Sequence, residues 1–234
     1  MAFPKIKKCE LFLAGGFVRD SILNIESKDQ DYVVVTELSF EQLLKSLKKM
    51  PNCLVYLAKP EFLTIRCNIN GDVVDLALPR SESDYDDNRH PNKVGRVATL
   101  KEDSSRRDFT INSMYMDESG KITDYWGGQK DIKDKVIKCV GDPYLRFEED
   151  YLRILRALRF AIKFDFKIEQ HTWEAMYDLS EKVREIEPNR IREELNKCLL
   201  INPERTMFYL FQLELFEELE AVGLKFQITS KELK

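Results

Sequence analysis

Two aspartates stand two residues apart where a polar stretch meets a β-branched run, in DQDYVVV, and they are Asp29 and Asp31. Residues at this spacing on a β-strand project to the same face. Carboxylate oxygens suit Mg²⁺, and a pair of them can bridge two ions that clamp the attacking and leaving oxygens of a phosphoryl transfer. We therefore predict a two-Mg²⁺ site at Asp29 and Asp31. Taken alone, an acidic D-x-D at the start of a strand is more often a solvated turn than a metal site.

The segment before this pair favours the metal-site interpretation. An apolar stretch, ELFLA, runs into Gly15 and Gly16, and VRDSILN follows with the composition of a helix. Glycines without a Cβ allow the backbone to approach a phosphate, and the N-terminus of a following helix favours an anion. Arg19 stands where it could add charge-assisted contacts to a triphosphate. Gly15, Gly16 and Arg19 are therefore predicted to bind the phosphates of a nucleotide.

A third carboxylate, Asp75, lies inside the apolar stretch VVDLAL. An ionised group in such a place is costly unless it is paired or bound to a metal. Two interpretations follow, and the sequence does not choose between them. Asp75 completes the metal site with the other two aspartates, or it is a salt-bridged residue of an edge strand.

The elements that must position these residues change in type along the chain. About the first 120 residues alternate short strands and helices, whereas the remainder has the 3.6-residue periodicity of packed helices. FLTIRCNINGDVVDLALP predicts a hairpin that turns at Asn70-Gly71, and Ser39 is a candidate N-cap. The polar segment SESDYDDNRHPNKVGR predicts an exposed loop. The paired glycines of DYWGGQKDI predict a hinge between two lobes. The predicted class is α+β, with a head over residues 1–124 and an all-α region over residues 125–234.

Composition limits the class of protein. Hydrophobic residues make up 43% and charged residues 33% of the 234 residues, which is typical of a globular protein. No apolar run approaches the roughly 18 residues of a membrane span, and the N-terminus lacks the pattern of a secretory signal, so we expect a cytoplasmic protein without a membrane association. The five cysteines and two histidines show no zinc-ligand spacing, and any catalytic metal should have oxygen ligands.

Together these motifs resemble the tRNA nucleotidyltransferase and bacterial poly(A) polymerase family, the class II branch of the polymerase-beta-type superfamily, over about residues 11–200. The resemblance implies a nucleotidyltransferase head with a small mixed sheet that carries the carboxylates, followed by a helical neck that recognises the incoming base. SRRDFTINSM resembles the family segment in which Arg107 contacts the triphosphate, while Asp108 and Asn112 help to recognise the ribose and to position the nucleotide.

The segment EEDYLRILRALRF resembles the neck motif whose Glu-Asp-x-x-Arg core serves as an amino-acid template for the added base. Asp150 and Arg153 are three residues apart, so on a helix they would be neighbours that offer an acceptor and a fork of donors to one base edge. Arg156 and Arg159 would continue a basic stripe suited to phosphates. A solvated helix with ordinary Asp-Arg pairs is the alternative. PNRIREEL resembles the helix that braces the template, and Leu152, Leu155, Leu158 and Ile162 are expected to face the core.

Some positions depart from the family pattern. Asn24 stands where the family usually has glycine, although asparagine also tolerates left-handed geometry. Tyr151 replaces a common proline and Ser113 a common alanine. About thirty residues follow the neck motifs, where family members often carry further helical domains that hold the tRNA. We therefore expect a homodimer, another partner or a smaller RNA to compensate.

The resemblance implies addition of CCA from CTP and ATP to the 3′ end of tRNA, with Mg²⁺ as the cofactor and pyrophosphate as the product. The acidic loop DYDDNRHP resembles the loop of members that add the terminal A. Addition of A alone and poly(A) synthesis stay open. A noncatalytic RNA-binding protein and a transferase that acts on a small molecule or protein are the rivals.

Overall fold

The computed structural model describes residues 3–27, 30–83, 85 and 91–224. Backbone contacts divide the chain into two compact units. The first contains the chain up to Asp134 together with Lys138–Gly141, and the second contains Lys135–Ile137 and the chain from Asp142 onward. None of the helices in these described ranges is long and apolar enough to cross a membrane.

A mixed sheet forms the centre of the first unit. In the described part of the chain it has seven strands, in the spatial order β3-β4-β5-β2-β1-β8-β9. β2 and β5 are parallel, and the other neighbours are antiparallel. The strands are β1 (Cys9–Ala14), β2 (Gln30–Thr36), β3 (Cys53–Lys59), β4 (Thr64–Ile69), β5 (Asp72–Ala77), β8 (Met114–Met116) and β9 (Ile122–Asp124). The predicted small mixed sheet is confirmed.

The hairpin between β4 and β5 forms at the predicted dipeptide. Asn70 and Gly71 have φ values of 57° and 99°, so both adopt the left-handed backbone that a tight hairpin turn needs. Ile69 then lies opposite Asp72, which fixes the register of every later pair along the two strands. The turn dipeptide therefore determines which residue of β4 faces Asp75.

The expected loop of residues 81–96 is partly ordered as strand. Its two ends pair as β6 (Arg80–Ser83) and β7 (Lys93–Arg96), so the prediction of a loop was wrong at these ends. Ladder hydrogen bonds satisfy the backbone groups that a loop would leave to water. Of the loop motif DYDDNRHP, only Tyr85 and Pro91 are described, so the motif lies largely outside the described residues.

Short helices and two 3₁₀ turns connect the strands of the first unit. Ser39 caps α2 as predicted, because its hydroxyl accepts a hydrogen bond from the amide of Gln42 and the Gln42 side chain bonds back to the Ser39 amide. The helices are α1 (Gly16–Ile22), α2 (Phe40–Lys48), α3 (Leu100–Ser105) and α4 (Gly128–Lys133), and the turn that matters for the site spans Thr110–Asn112.

The segment DYWGGQKDI, expected to be a hinge, lies within the first unit. The Asp124 carboxylate accepts hydrogen bonds from the amides of Trp126, Gly127, Gly128 and Gln129, which ties the segment to the end of β9. The first unit extends past the boundary expected at residue 124, because it contains the chain to Asp134 and also Lys138–Gly141.

The second unit is mainly helical, as expected. A short parallel pair, β10 (Val136–Ile137) and β11 (Lys167–Ile168), accompanies its helices. These are α5 (Pro143–Glu149), α6 (Leu152–Phe164), α7 (Gln170–Asp178), α8 (Pro188–Ile201), α9 (Pro203–Gln212) and α10 (Leu215–Ala221), and a 3₁₀ segment spans Ser180–Glu185. The four residues expected to face the core, Leu152, Leu155, Leu158 and Ile162, are all buried.

Candidate active site

A pocket of about 440 Å³ opens on the first unit where β2, β4 and β5 lie side by side. Acidic and basic side chains share its lining. The acidic residues are Asp31 and Asp75, and the basic ones are Lys59, Arg66, Arg80, Arg106 and Arg107. The excess of cations suits a polyanion such as a triphosphate, while the carboxylates suit a metal cation.

The two acidic residues of the pocket are direct neighbours in the sheet. β2 and β5 run parallel, and Asp31 is the register partner of Asp75. Residues in register on adjacent strands project to the same face, and both line the pocket. Asp29 lies outside the described residues. Among the residues that are described, no group of three or more His, Cys, Asp and Glu side chains is placed to hold a metal ion.

Asp75 forms a two-pronged ion pair with Arg66. Arg66 Nε lies 2.9 Å from Asp75 Oδ1, and Arg66 Nη2 lies 2.6 Å from Asp75 Oδ2. The salt bridge expected as one of two interpretations is therefore present, but β5 is an inner strand of the sheet and not an edge. The metal role of Asp75 stays a prediction.

Both the backbone conformation of residue 15 and its close neighbours require glycine at this position. Its φ is 65°, and a Cβ added there would lie 3.1 Å from Arg107 Nη1 and 3.6 Å from the Asn112 carbonyl oxygen. The residue that directly follows β1 therefore lies close to the Arg107 guanidinium. Gly16 begins α1, which is only seven residues long.

Arg19 is not among the residues that line the pocket, and its side chain is buried. Its Nε is 2.7 Å from Asp20 Oδ1, and its Nη1 is 2.5 Å from Asn112 Oδ1. Asn112 in turn donates through Nδ2 to Asp108 Oδ1 at 3.1 Å. The structure thus brings the predicted residues Arg19, Asp108 and Asn112 into one buried network, in which Arg19 holds Asn112.

Arg107 lines the pocket and is held from three sides. Its Nη2 lies 3.1 Å from Asp103 Oδ2, its Nε 3.2 Å from the Tyr115 hydroxyl, and its Nη1 3.3 Å from the Asn112 carbonyl oxygen. Its guanidinium carbon is also 5.1 Å from the centre of the Tyr115 ring. Burial alone would lower the pKa of Arg107, but Tyr115 and Asp103 more than offset it and raise that pKa.

Asp103 and four of the basic lining residues were not predicted from the sequence. One of them could have been found, because counting outward from the Asn70-Gly71 turn places Arg66 opposite Asp75. Arg106 had its neighbour Arg107 as a signal. Lys59 and Arg80 carry no local signal, since long-range packing of the sheet brings them to the pocket.

In the second unit the template motif is arranged differently from the prediction. Asp150 is not on one helix with Arg153, because α5 ends at Glu149 and Asp150 has an extended backbone with φ −156°. Its Oδ1 accepts from the Leu152 amide at 3.1 Å, as an N-cap does. The expectation that Asp150 and Arg153 are neighbours on one helix was therefore wrong.

Each member of that motif instead has another partner. Arg190 Nη2 lies 2.9 Å from Asp150 Oδ2, so PNRIREEL braces Asp150 as the resemblance implied. Arg153 Nη1 lies 2.6 Å from Glu149 Oε2 and 2.8 Å from the Arg146 carbonyl oxygen. The side chains of Asp150 and Arg153 are thus each held by a charged neighbour.

The two arginines of the expected basic stripe both approach Phe160. Their guanidinium carbons lie 5.4 Å (Arg156) and 4.3 Å (Arg159) from the ring centre. Arg159 Nε also lies 2.5 Å from the buried carboxylate of Glu194 on α8. Arg159 therefore links α6 to α8.

Comparison with known proteins gives a consistent pattern. Residues 11–138 match the family described as the poly A polymerase head domain, and residues 165–221 match the family described as the probable RNA and SrmB-binding site of polymerase A. A CCA-adding enzyme of Ligilactobacillus salivarius is 36% identical over 209 residues, which are 89% of this chain and 50% of that protein. A CCA-adding enzyme of Enterococcus faecalis is 37% identical over 191 residues, 82% of this chain and 45% of that protein.

Solved structures are similar over the same span. The Bacillus stearothermophilus CCA-adding enzyme in complex with CTP has a TM-score of 0.78 and 27% identity, covering 90% of this chain and 50% of that one. The Thermotoga maritima CCA-adding enzyme complexed with tRNA-CCA has a TM-score of 0.75 and 29% identity, covering 95% and 50%. The chain thus spans about half the length of the relatives that it matches.

Proposed function

Because the chain belongs to the family of the poly A polymerase head domain, we propose that it is a template-independent RNA nucleotidyltransferase that adds C and A from CTP and ATP to the 3′ end of tRNA. One observation carries the proposal. In the pocket, two carboxylates in register on adjacent strands, Asp31 and Asp75, lie among five cationic side chains. The names of the relatives and the CTP and tRNA complexes of the similar structures support the choice of substrates.

The donor set of the pocket fits Mg²⁺. Oxygen ligands from aspartates are those that this ion prefers, and Asp31 and Asp75 supply them from one face of the sheet. Asp29, Asp31 and Asp75 would hold two ions. When bound, Mg²⁺ stabilises the negative charge that develops on the attacking and leaving oxygens of a phosphoryl transfer.

The side chains of the first unit bind and orient the nucleotide. Arg107 contacts the triphosphate from a fixed position, and Arg106 and Lys59 add positive charge along the same pocket. Asn112 and Asp108, locked by Arg19, position the ribose. The 3′-hydroxyl of the RNA then loses its proton to water as its oxygen forms a bond to the α-phosphorus. The bond from that phosphorus to the oxygen that bridges it to the β-phosphate breaks, and pyrophosphate leaves.

In the second unit, Asp150 and Arg153 recognise the base. Cytosine and adenine each present an exocyclic amino donor beside a ring-nitrogen acceptor, so a carboxylate and a guanidinium can satisfy either base. Arg190 and Glu149 hold the two side chains by salt bridges. Such restraint lowers the entropy that must be lost when a base binds.

The test is incorporation of each labelled nucleotide into a tRNA that ends before CCA, with Mg²⁺ and with EDTA. We expect C and then A to be added, only with Mg²⁺. Asp31→Asn should abolish addition, whereas the matched control Asp72→Asn should keep it, because Asp72 is an exposed carboxylate at the start of β5 and is not among the residues that line the pocket. Addition of A alone would point to an A-adding or poly(A) enzyme, and wild-type activity in Asp31→Asn would refute the proposal.

A further inference from the structure

Asp103, near the end of α3, is fully buried and has no role in the mechanism above. Its Oδ1 accepts from the amide of Arg80 at 3.2 Å and from Nε and Nη2 of Arg106 at 3.1 and 2.9 Å. Its Oδ2 accepts from Arg107 Nη2 at 3.1 Å and from the Tyr115 hydroxyl at 2.7 Å. One carboxylate thus receives five hydrogen bonds, four of them from Arg80, Arg106 and Arg107, which line the pocket.

Each of the two carboxylate oxygens of Asp103 binds one of two consecutive arginines. Arg106 bonds to Oδ1 and Arg107 to Oδ2, and both arginines line the pocket. Long arginine side chains sample many rotamers when they are not held. The arrangement therefore fixes both guanidinium groups in the absence of a ligand.

The charge of Asp103 matters as well as its shape. Arg80, Arg106 and Arg107 would repel one another in a poorly solvated wall, and a second acid, Glu82, lies 2.7 Å from Arg80 and 3.0 Å from Arg106. Burial raises the pKa of Asp103, but Arg106 and Arg107 more than offset this and lower it to about 2. Asp103 is therefore ionised at neutral pH.

We propose that Asp103 is a positioning residue for triphosphate binding, which holds Arg106 and Arg107 in place before a nucleotide arrives. The inference rests on the proposed function only for the identity of the ligand. Because Arg106 and Arg107 face the phosphates and not the base, the loss of Asp103 should weaken ATP, CTP and inorganic tripolyphosphate alike.

The experiment compares Asp103→Asn with Asp124→Asn in the full chain. Asp124 is a matched control, because it also accepts several hydrogen bonds and stabilises the same unit but does not line the pocket. Two quantities are measured: the Kd of tripolyphosphate, ATP and CTP by calorimetry, and the order of the Arg106 and Arg107 guanidinium groups by ¹⁵N NMR without ligand. Incorporation kinetics then give KM and kcat.

In Asp103→Asn we expect the Kd values and the KM to rise by about tenfold or more, since hydrogen bonds to charged groups are lost, with kcat changed much less. The guanidinium signals of both arginines should become mobile. Asp124→Asn should lower stability without either change. Unaltered arginine order or an unaltered Kd in Asp103→Asn would overturn the proposal. A wild-type chain that binds tripolyphosphate but incorporates no nucleotide would refute the proposed function and leave the role of Asp103 supported.

Discussion

Gly128→Ala should destabilise the first unit although it places alanine at the start of a helix. A Cβ at residue 128 would lie 2.2 Å from the Thr110 carbonyl oxygen, 2.8 Å from the carbonyl carbon and 3.1 Å from Met114 Sδ. A carbon and a carbonyl oxygen need about 3.3 Å, so the two backbone segments must separate by roughly 1 Å. Overpacking of this kind costs about 1–3 kcal/mol. The higher helix propensity of alanine over glycine stabilises the folded state by at most about 1 kcal/mol, which offsets only part of this cost.

Because the obstacle is backbone and not a flexible side chain, we expect the upper part of that range and a net loss of about 2 kcal/mol. The assay is urea unfolding followed by Trp126 fluorescence in a Trp173→Phe background, so that the signal comes from the first unit alone. These two are the tryptophans of the chain. Two compact units need such a local reporter, because their unfolding need not be a single transition.

Gly120→Ala is the control for this prediction. Gly120 has φ +84° and open space around its missing Cβ, so alanine there adds left-handed strain of about 1 kcal/mol without a clash. If Gly128→Ala were as stable as the wild-type chain or more so, helix propensity would outweigh the contact. In that case the close packing of α4 on the Thr110–Asn112 turn would not be the reason for glycine at residue 128.

Three further outcomes are expected. Asn24 has φ 56°, so Asn24→Ala should lower the free energy of unfolding by about 1 kcal/mol and Asn24→Gly should change it little, as thermal unfolding would measure. Arg159→Ala should lower the free energy of unfolding by about 3 kcal/mol, because Glu194 is 4% exposed and, among the described residues, would be left with Lys197 as its charged partner. A second change, Glu194→Gln, should recover part of that loss in urea unfolding. The pKa of Asp103 is lowered from 3.8 to about 2, so it contributes about 2 kcal/mol of stability above pH 4 that disappears as the pH falls toward 2, and acid titration of Asp103→Asn should lack that loss.

Local sequence signals predicted the parts of the fold that depend on local geometry. The Asn70-Gly71 turn, the Ser39 cap and the left-handed Asn24 all follow from residue type, because each depends on the backbone preferences of one or two residues. The helical periodicity of the second half identified the buried face of α6 for the same reason.

Contacts between distant residues decided what the sequence did not predict. The apolar spacing runs through Asp150 without a change, but the helix breaks there because the Asp150 side chain caps α6 and pairs with Arg190, forty residues away. Arg19 follows the two glycines and was expected at the triphosphate, yet it bonds to Asn112 across 93 residues of chain. Neither partner is visible from local pattern.

The acidic balance of the chain is compatible with a cationic pocket because many carboxylates hold arginines in place. Net charge is −4, but Asp103 in the first unit and both Glu149 and Glu194 in the second each have an arginine partner within 3.1 Å. Each such carboxylate offsets one positive charge in the net charge of the chain and also fixes the orientation of its arginine partner. Pairs that are largely buried are also weakly screened by salt. The orientation of these arginines should therefore persist at ionic strengths that remove ordinary surface attraction to RNA, so net charge is a poor guide to what the pocket binds.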